Sequence, residues 1–99
     1  MRMMLRVWMP ADTGNAAIKD GSLPGSIKAL VDRLKPEAAY FFPDEGKRSA
    51  LYVFDMQDAS QIPPIVESLF LGMNAEVRLS PVMNFEDLQK GLAETMKSR

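Results

Sequence analysis

The stretch Arg48–Met56, RSALYVFDM, decides the fold. Its centre, Leu51-Tyr52-Val53-Phe54, is apolar at four successive positions. A short run rich in β-branched and aromatic residues reads as a strand. A strand with one wet face alternates apolar and polar side chains, and this one does not. It therefore belongs in the middle of a sheet, with cover required on both sides.

The flanking residues supply the rest of that sheet. Before it, Pro43–Arg48 (PDEGKR) is a turn, with Gly46 available for positive φ. Ala38–Phe42 (AAYFF) is the strand that the turn joins to it as a hairpin. Met3–Met9 (MMLRVWM) is a strand with Leu5, Val7 and Met9 on one face and Met4, Arg6 and Trp8 on the other. Ala75–Met83 (AEVRLSPVM) is a fourth, with Val77 and Leu79 opposed to Glu76, Arg78 and Ser80.

Two segments between the strands carry a helical period. In SLPGSIKALVDRLKP, Ser22 is the N-cap and Pro24 sits in the first turn. Ile27, Leu30, Val31 and Leu34 form one apolar stripe, and Pro36 closes the helix. In DASQIPPIVESLFLGMN the cap is Asp58 or Ser60, and Ile62, Ile65, Val66, Leu69, Phe70 and Met73 are the buried stripe. A last helix, NFEDLQKGLAETMKSR, is capped by Asn84 and has a thin stripe of Leu88, Leu92 and Met96, to pack on the domain or on a partner. Between Pro10 and Gly21 the chain reads as a long connection with one helical turn over Asn15–Asp20.

This order predicts a ferredoxin-like α+β fold, βαββαβ, over residues 1–99 as one domain. Its four-stranded antiparallel sheet has the order 4-1-3-2, both long helices lie on one face, and an extra helix ends the chain.

Composition narrows the chemistry. The 99 residues include no Cys and no His. Disulfides and thiolate catalysis are excluded, and zinc, haem and Ser–His chemistry lose their commonest residue. We expect no metal site and no cofactor. The Cys-free composition suits a reducing cytoplasm, where the chain is expected to reside. A net charge of −1 gives no general pull towards nucleic acid or an anionic membrane. No apolar run is long enough to span a bilayer, and the N-terminal residues do not read as a signal peptide.

If the helices bury Leu5, Val7, Val77, Leu79 and one side of the third strand, the other side of the sheet lies bare. On it we expect Met4, Arg6, Trp8, Tyr40, Phe42, Tyr52, Phe54, Glu76 and Arg78. An aromatic surface of this breadth points to a binding face, or else the last helix folds back across part of it.

In element order and length the chain resembles the dimeric α+β-barrel group of ferredoxin-like proteins. That group includes muconolactone-isomerase-like proteins and small cofactor-free monooxygenases. TGN…KDG (Thr13–Gly21), KPEAAYF (Lys35–Phe41), MQDAS (Met56–Ser60) and PVM…EDL (Pro81–Leu88) are similar to segments of a family of small bacterial proteins. The resemblance implies a homodimer that packs sheet against sheet. It leaves open whether the chain is an enzyme of the isomerase or monooxygenase kind or only binds a small organic molecule.

The residues give the candidates for such a site. Arg6, Trp8, Tyr40, Tyr52, Phe54 and Arg78 would line the ligand cavity, with the two arginines taking a carboxylate or phosphate. The structural reading of Arg6 and Arg78 is a cross-strand network with Glu76, or an interface salt bridge. Asp12, Asn15, Lys19 and Asp20 would rim the pocket, or else serve as helix caps and turn residues. Asp55 is the one candidate catalytic group, a general base if burial raises its pKa. The rival class is an interaction module. Trp8, Tyr52 and Phe54 sit where an RNA-recognition motif stacks bases, although the strand signature matches poorly and the basic footprint is missing.

Overall fold

A computed structural model describes residues 1–98. The chain runs β1 (Arg2–Met9), α1 (Ala11–Lys19), α2 (Leu23–Leu34), β2 (Ala38–Asp44), β3 (Lys47–Asp55), α3 (Ile62–Met73), β4 (Glu76–Pro81) and α4 (Phe85–Lys97). The four strands form one antiparallel sheet in the order β2-β3-β1-β4, which is 4-1-3-2 read from the other edge. The RSALYVFDM strand is central, as its apolar run requires.

Local chemistry sets the element ends. Glu45 and Gly46 both take positive φ, 53° and 73°, between Asp44 and Lys47. That is a two-residue turn whose twist suits a hairpin. Lys35 and Asn74 close α2 and α3 in the left-handed conformation. A 3-10 turn over Ala59–Gln61, held by an Asp58/Gln61 capping box, leads into α3. Pro63 and Pro64 then fall in the first turn, where no intrahelical N–H is lost.

The segment after β1 differs from expectation. It is a full helix, α1, rather than a loop with one turn. Gly14 permits this. A Cβ there would lie 2.6 Å from Nη1 of Arg48 and 3.2 Å from Sδ of Met9. The missing side chain lets α1 approach the end of the sheet.

The sheet's faces also differ from expectation at one strand. Residues paired across an antiparallel ladder point the same way. Leu5 pairs with Tyr52 and Met3 with Phe54. Tyr52 and Phe54 therefore join Met3, Leu5 and Val7 beneath the helices, each only 2% exposed. The core continues through Leu30 and Leu34 of α2 and Ile65 and Leu69 of α3. Burying each of these large side chains contributes about 1.5–3 kcal/mol. Leu51 and Val53 take the places on the bare face that Tyr52 and Phe54 were expected to hold.

α4 leaves this body. None of its residues is buried. The molecule measures 57 × 28 × 19 Å, with a radius of gyration of 16.1 Å. A compact chain of this length has about 13 Å. Among the described residues, no helix is long and apolar enough to cross a membrane.

Candidate functional site

Two surfaces emerge from this arrangement, one on each side of the sheet. The bare face carries Met4, Arg6 and Trp8 of β1, Ala38, Tyr40 and Phe42 of β2, Leu51 and Val53 of β3, and Glu76, Arg78 and Ser80 of β4. At one end of it the charges gather around Trp8. The indole Nε1 donates to Oδ2 of Asp44 at 2.9 Å, and Nη2 of Arg6 reaches the same oxygen at 3.2 Å. The Arg6 guanidinium lies 4.6 Å from the Trp8 ring centroid, and that of Arg78 lies 5.9 Å from it. Each such contact is worth about 0.5–2 kcal/mol. Together they bury Trp8 to 9% exposure. The charges are therefore the cover at this end.

The sheet brings Arg6 and Arg78 opposite each other in the β1–β4 ladder. The expected link between Arg78 and Glu76 does not form. Glu76 instead accepts from Nζ of Lys47 at 3.3 Å. Among the described residues Arg78 makes no ion pair, and Nε of Arg6 is buried without a hydrogen-bond partner. Asp44, which holds Arg6 and Trp8, was not among the residues singled out from the sequence. The hairpin turn it precedes was the available signal.

Between this end and the Arg2–Asp55 pair at the other end of the face lies an uncharged stretch. Met4, Ala38, Leu51, Val53, Tyr40 and Ser80 form an uncharged band, and Tyr40 is 65% exposed.

The second surface lies on the helix side. A cavity of about 410 Å³ opens between α2, α3 and the β2–β3 half of the sheet. Val7, Leu30, Leu69 and Met73 make its walls. Phe41 closes one side, edge-on to Tyr52 with ring centroids 5.8 Å apart. Arg48 and Tyr52 bring polar atoms to this lining, and no carboxylate lines it. Burial holds the Tyr52 phenol above the usual range, so it stays protonated at neutral pH. Nη1 of Arg48 lies 3.5 Å from the Ala11 carbonyl oxygen, and among the described residues no carboxylate pairs with it. Tyr52 is thus separated from Arg6, Trp8, Tyr40 and Arg78 by the thickness of the sheet, and Phe54 lies deeper in the core.

The remaining candidates sit elsewhere. Asp12, Asn15, Lys19 and Asp20 are all exposed on α1 and at its end. Oδ1 of Asp12 accepts from the Thr13 amide at 2.8 Å, and Oδ1 of Asp20 accepts from the Ser22 amide at 2.8 Å. Asp12 and Asp20 organise helix ends, and none of the four lines the cavity. Asp55 is exposed rather than buried, and its Oδ1 is 2.7 Å from the Met1 ammonium. That hydrogen bond and charge hold its carboxyl below the usual range, the opposite of what a general base needs.

No family model matches the chain, and no curated protein matches it. Among solved structures it is similar to a formyltetrahydrofolate deformylase from Pseudomonas putida KT2440, with a TM-score of 0.55 and 10% identity. The match covers 83% of this chain and 29% of that one, so the chain spans less than a third of the enzyme's length. It is also similar to a de novo designed protein, Ferredog-Diesel, with a TM-score of 0.46 and 13% identity over 82% of this chain and 85% of that one. At such identity the deformylase likeness shows the fold alone. The class is a small α+β domain with a four-stranded antiparallel sheet.

Proposed function

We propose that the chain is a small-molecule-binding protein that works as a homodimer. The cavity of about 410 Å³ beneath α2 and α3 carries the reading. Ligand pockets are concave, mostly apolar and supplied with a few polar groups that fix orientation. This one has an apolar wall, a protonated phenol and a guanidinium that pairs with no carboxylate among the described residues. The matching ligand is a compact apolar or aromatic molecule with one anionic end, lying against Phe41 and Tyr52 and meeting Arg48. The reading is of binding rather than catalysis, because no carboxylate lines the cavity and the one candidate base is held ionised at the far end of β3.

Assembly is the second half of the reading. The uncharged band on the bare sheet face is the surface for a second copy. RNA is disfavoured there, because Tyr52 and Phe54 lie under the helices and Trp8 is capped by guanidinia.

Anilinonaphthalene sulfonate, an aromatic anion, tests the cavity directly. Its fluorescence should rise on binding the native protein, weaken several-fold with Arg48→Gln and be lost with Ile27→Trp, which fills the cavity. Equal binding by Ile27→Trp and the wild type would overturn the assignment.

A further inference from the structure

The bare sheet face is an unpartnered apolar surface, and the α4 stripe is another. At about 100° per residue, Phe85, Leu88, Leu92 and Met96 fall within an arc of about 80°. Glu86, Asp87, Lys90, Glu94 and Lys97 fall within an arc of about 100° on the opposite side. The sides between are uncharged: Gln89, Gly91, Ala93 and Thr95. Yet Phe85 is 73% exposed, Leu92 52% and Met96 62%. A helix of this length is marginal in water unless its apolar side is covered. Among the described residues, its ion pair to the body is in the first turn, with Asp87 at 3.4 Å from Arg2.

We infer that α4 is an exchanged arm: in the dimer each copy lays the Phe85–Leu88–Leu92–Met96 stripe across the other copy's bare sheet face, over Leu51, Val53 and Tyr40. This rests on the homodimer reading above and specifies which element meets the face.

Three observations select this occupant. The first is area. With strands about 4.8 Å apart, the uncharged patch fills six of the eight positions in two side-chain rows, Arg6 and Arg78 holding the other two, which makes roughly 200 Å². Even doubled for surface relief, sheet on sheet falls short of the ~800 Å² per partner that a standard interface buries. An arm about 20 Å long and 10 Å across adds roughly 200 Å² of footprint, and a copy that gives one arm while receiving another reaches that size. The second is symmetry. A two-fold exchange covers the bare sheet face and the α4 stripe of both copies at once. The third is charge. The polar side of α4 has three acidic residues against two lysines, whereas helices that lie on membranes are basic there.

The chain contains no Cys, so introduced pairs report contact without background. The test measures solution mass by light scattering behind a sizing column, and forms a disulfide in Tyr40→Cys/Leu92→Cys. The expected result is a dimeric wild type, a monomeric Leu92→Glu, an unchanged Glu94→Gln and a covalent dimer from the double-cysteine chain. Leu92 and Glu94 are exposed, so neither substitution threatens the fold. If Leu92→Glu stays dimeric while Leu51→Lys becomes monomeric, the arm is wrong and assembly through the sheet stands. A dimeric wild type without the Tyr40–Leu92 cross-link overturns the arm's placement. A monomeric wild type, including one that sediments with phosphatidylglycerol vesicles, overturns both arm and homodimer.

Discussion

Phe54 and Val53 are neighbours in sequence and lie on opposite sides of the sheet, which makes them a sharp test of its faces. Phe54 is 2% exposed in the core with Met3, Leu34 and Ile65, whereas Val53 is only partly buried on the bare face. Replacing a buried Phe by Ala loses its transfer energy and leaves a cavity, at a cost of about 3–5 kcal/mol. A chain of this size has a total stability of about 5–15 kcal/mol, so Phe54→Ala consumes a large part of it. Each kcal/mol moves the melting temperature of such a domain by about 4–8 °C, which predicts a drop of at least 12 °C. Val53→Ala removes two methyl groups from the bare face and should cost about 1.6 kcal/mol or less, even with α4 of a second copy over it. Urea melts followed by far-UV circular dichroism would measure both, with an unchanged m-value as the check that only stability has moved. A Val53→Ala cost equal to or above that of Phe54→Ala would refute the face assignment. The cavity, whose floor includes Tyr52, would fall with it.

Gly14→Ala should gain nothing in stability. The helix preference of about 1 kcal/mol is offset by displacing Arg48 and Met9, while Gly25→Ala, with open space around it, should stabilise by up to ~1 kcal/mol in the same melts. Because the displaced side chain is Arg48, Gly14→Ala should also weaken binding of anilinonaphthalene sulfonate. The Asp55 carboxyl is held below its ordinary value, so its contribution is present above about pH 4 and is lost as the pH falls through the lowered folded value. Acid unfolding curves of Asp55→Asn should therefore start from lower stability at neutral pH and converge with the wild type in strong acid. The Tyr52 phenol is held above its ordinary value, so its contribution is present below about pH 10 and lost as the pH rises further. Tyr52→Phe should flatten the alkaline limb of the stability profile, as read by urea midpoints.

The helices α2 and α3 were legible because their stripes repeat at the helical period, although Phe70 of the α3 stripe is exposed and Asp58 caps the 3-10 turn before α3 rather than α3 itself. α1 was not, because its sequence, ADTGNAAIK, has no apolar stripe and includes Gly14, whose role depends on a contact with β3 that no local pattern announces. Asp55 was misjudged for a similar reason. Its environment is set by the Met1 ammonium, fifty-four positions away in sequence, and burial plays the lesser part.

The swap of Tyr52 and Phe54 for Leu51 and Val53 has a different origin. Leu51, Tyr52, Val53 and Phe54 are apolar throughout, so hydrophobicity cannot say which pair faces the helices. In a strand a shift of one residue exchanges the two faces completely. The hairpin resolves it. A two-residue turn at Glu45-Gly46 pairs Asp44 with Lys47, so every pair joins residues of opposite parity, and an even-numbered residue of β2 always meets an odd-numbered residue of β3. Tyr40 and Phe42 on the bare face therefore require Leu51 and Ser49 beside them, never Tyr52. Placing Tyr40 and Tyr52 together would have needed an odd-length turn or a bulge, and the Glu-Gly pair in positive φ argues for neither. Turn length, then, carries the face assignment here. That assignment puts a phenol into the cavity and leaves aliphatic side chains, rather than stacking aromatics, as the middle of the surface α4 is inferred to cover.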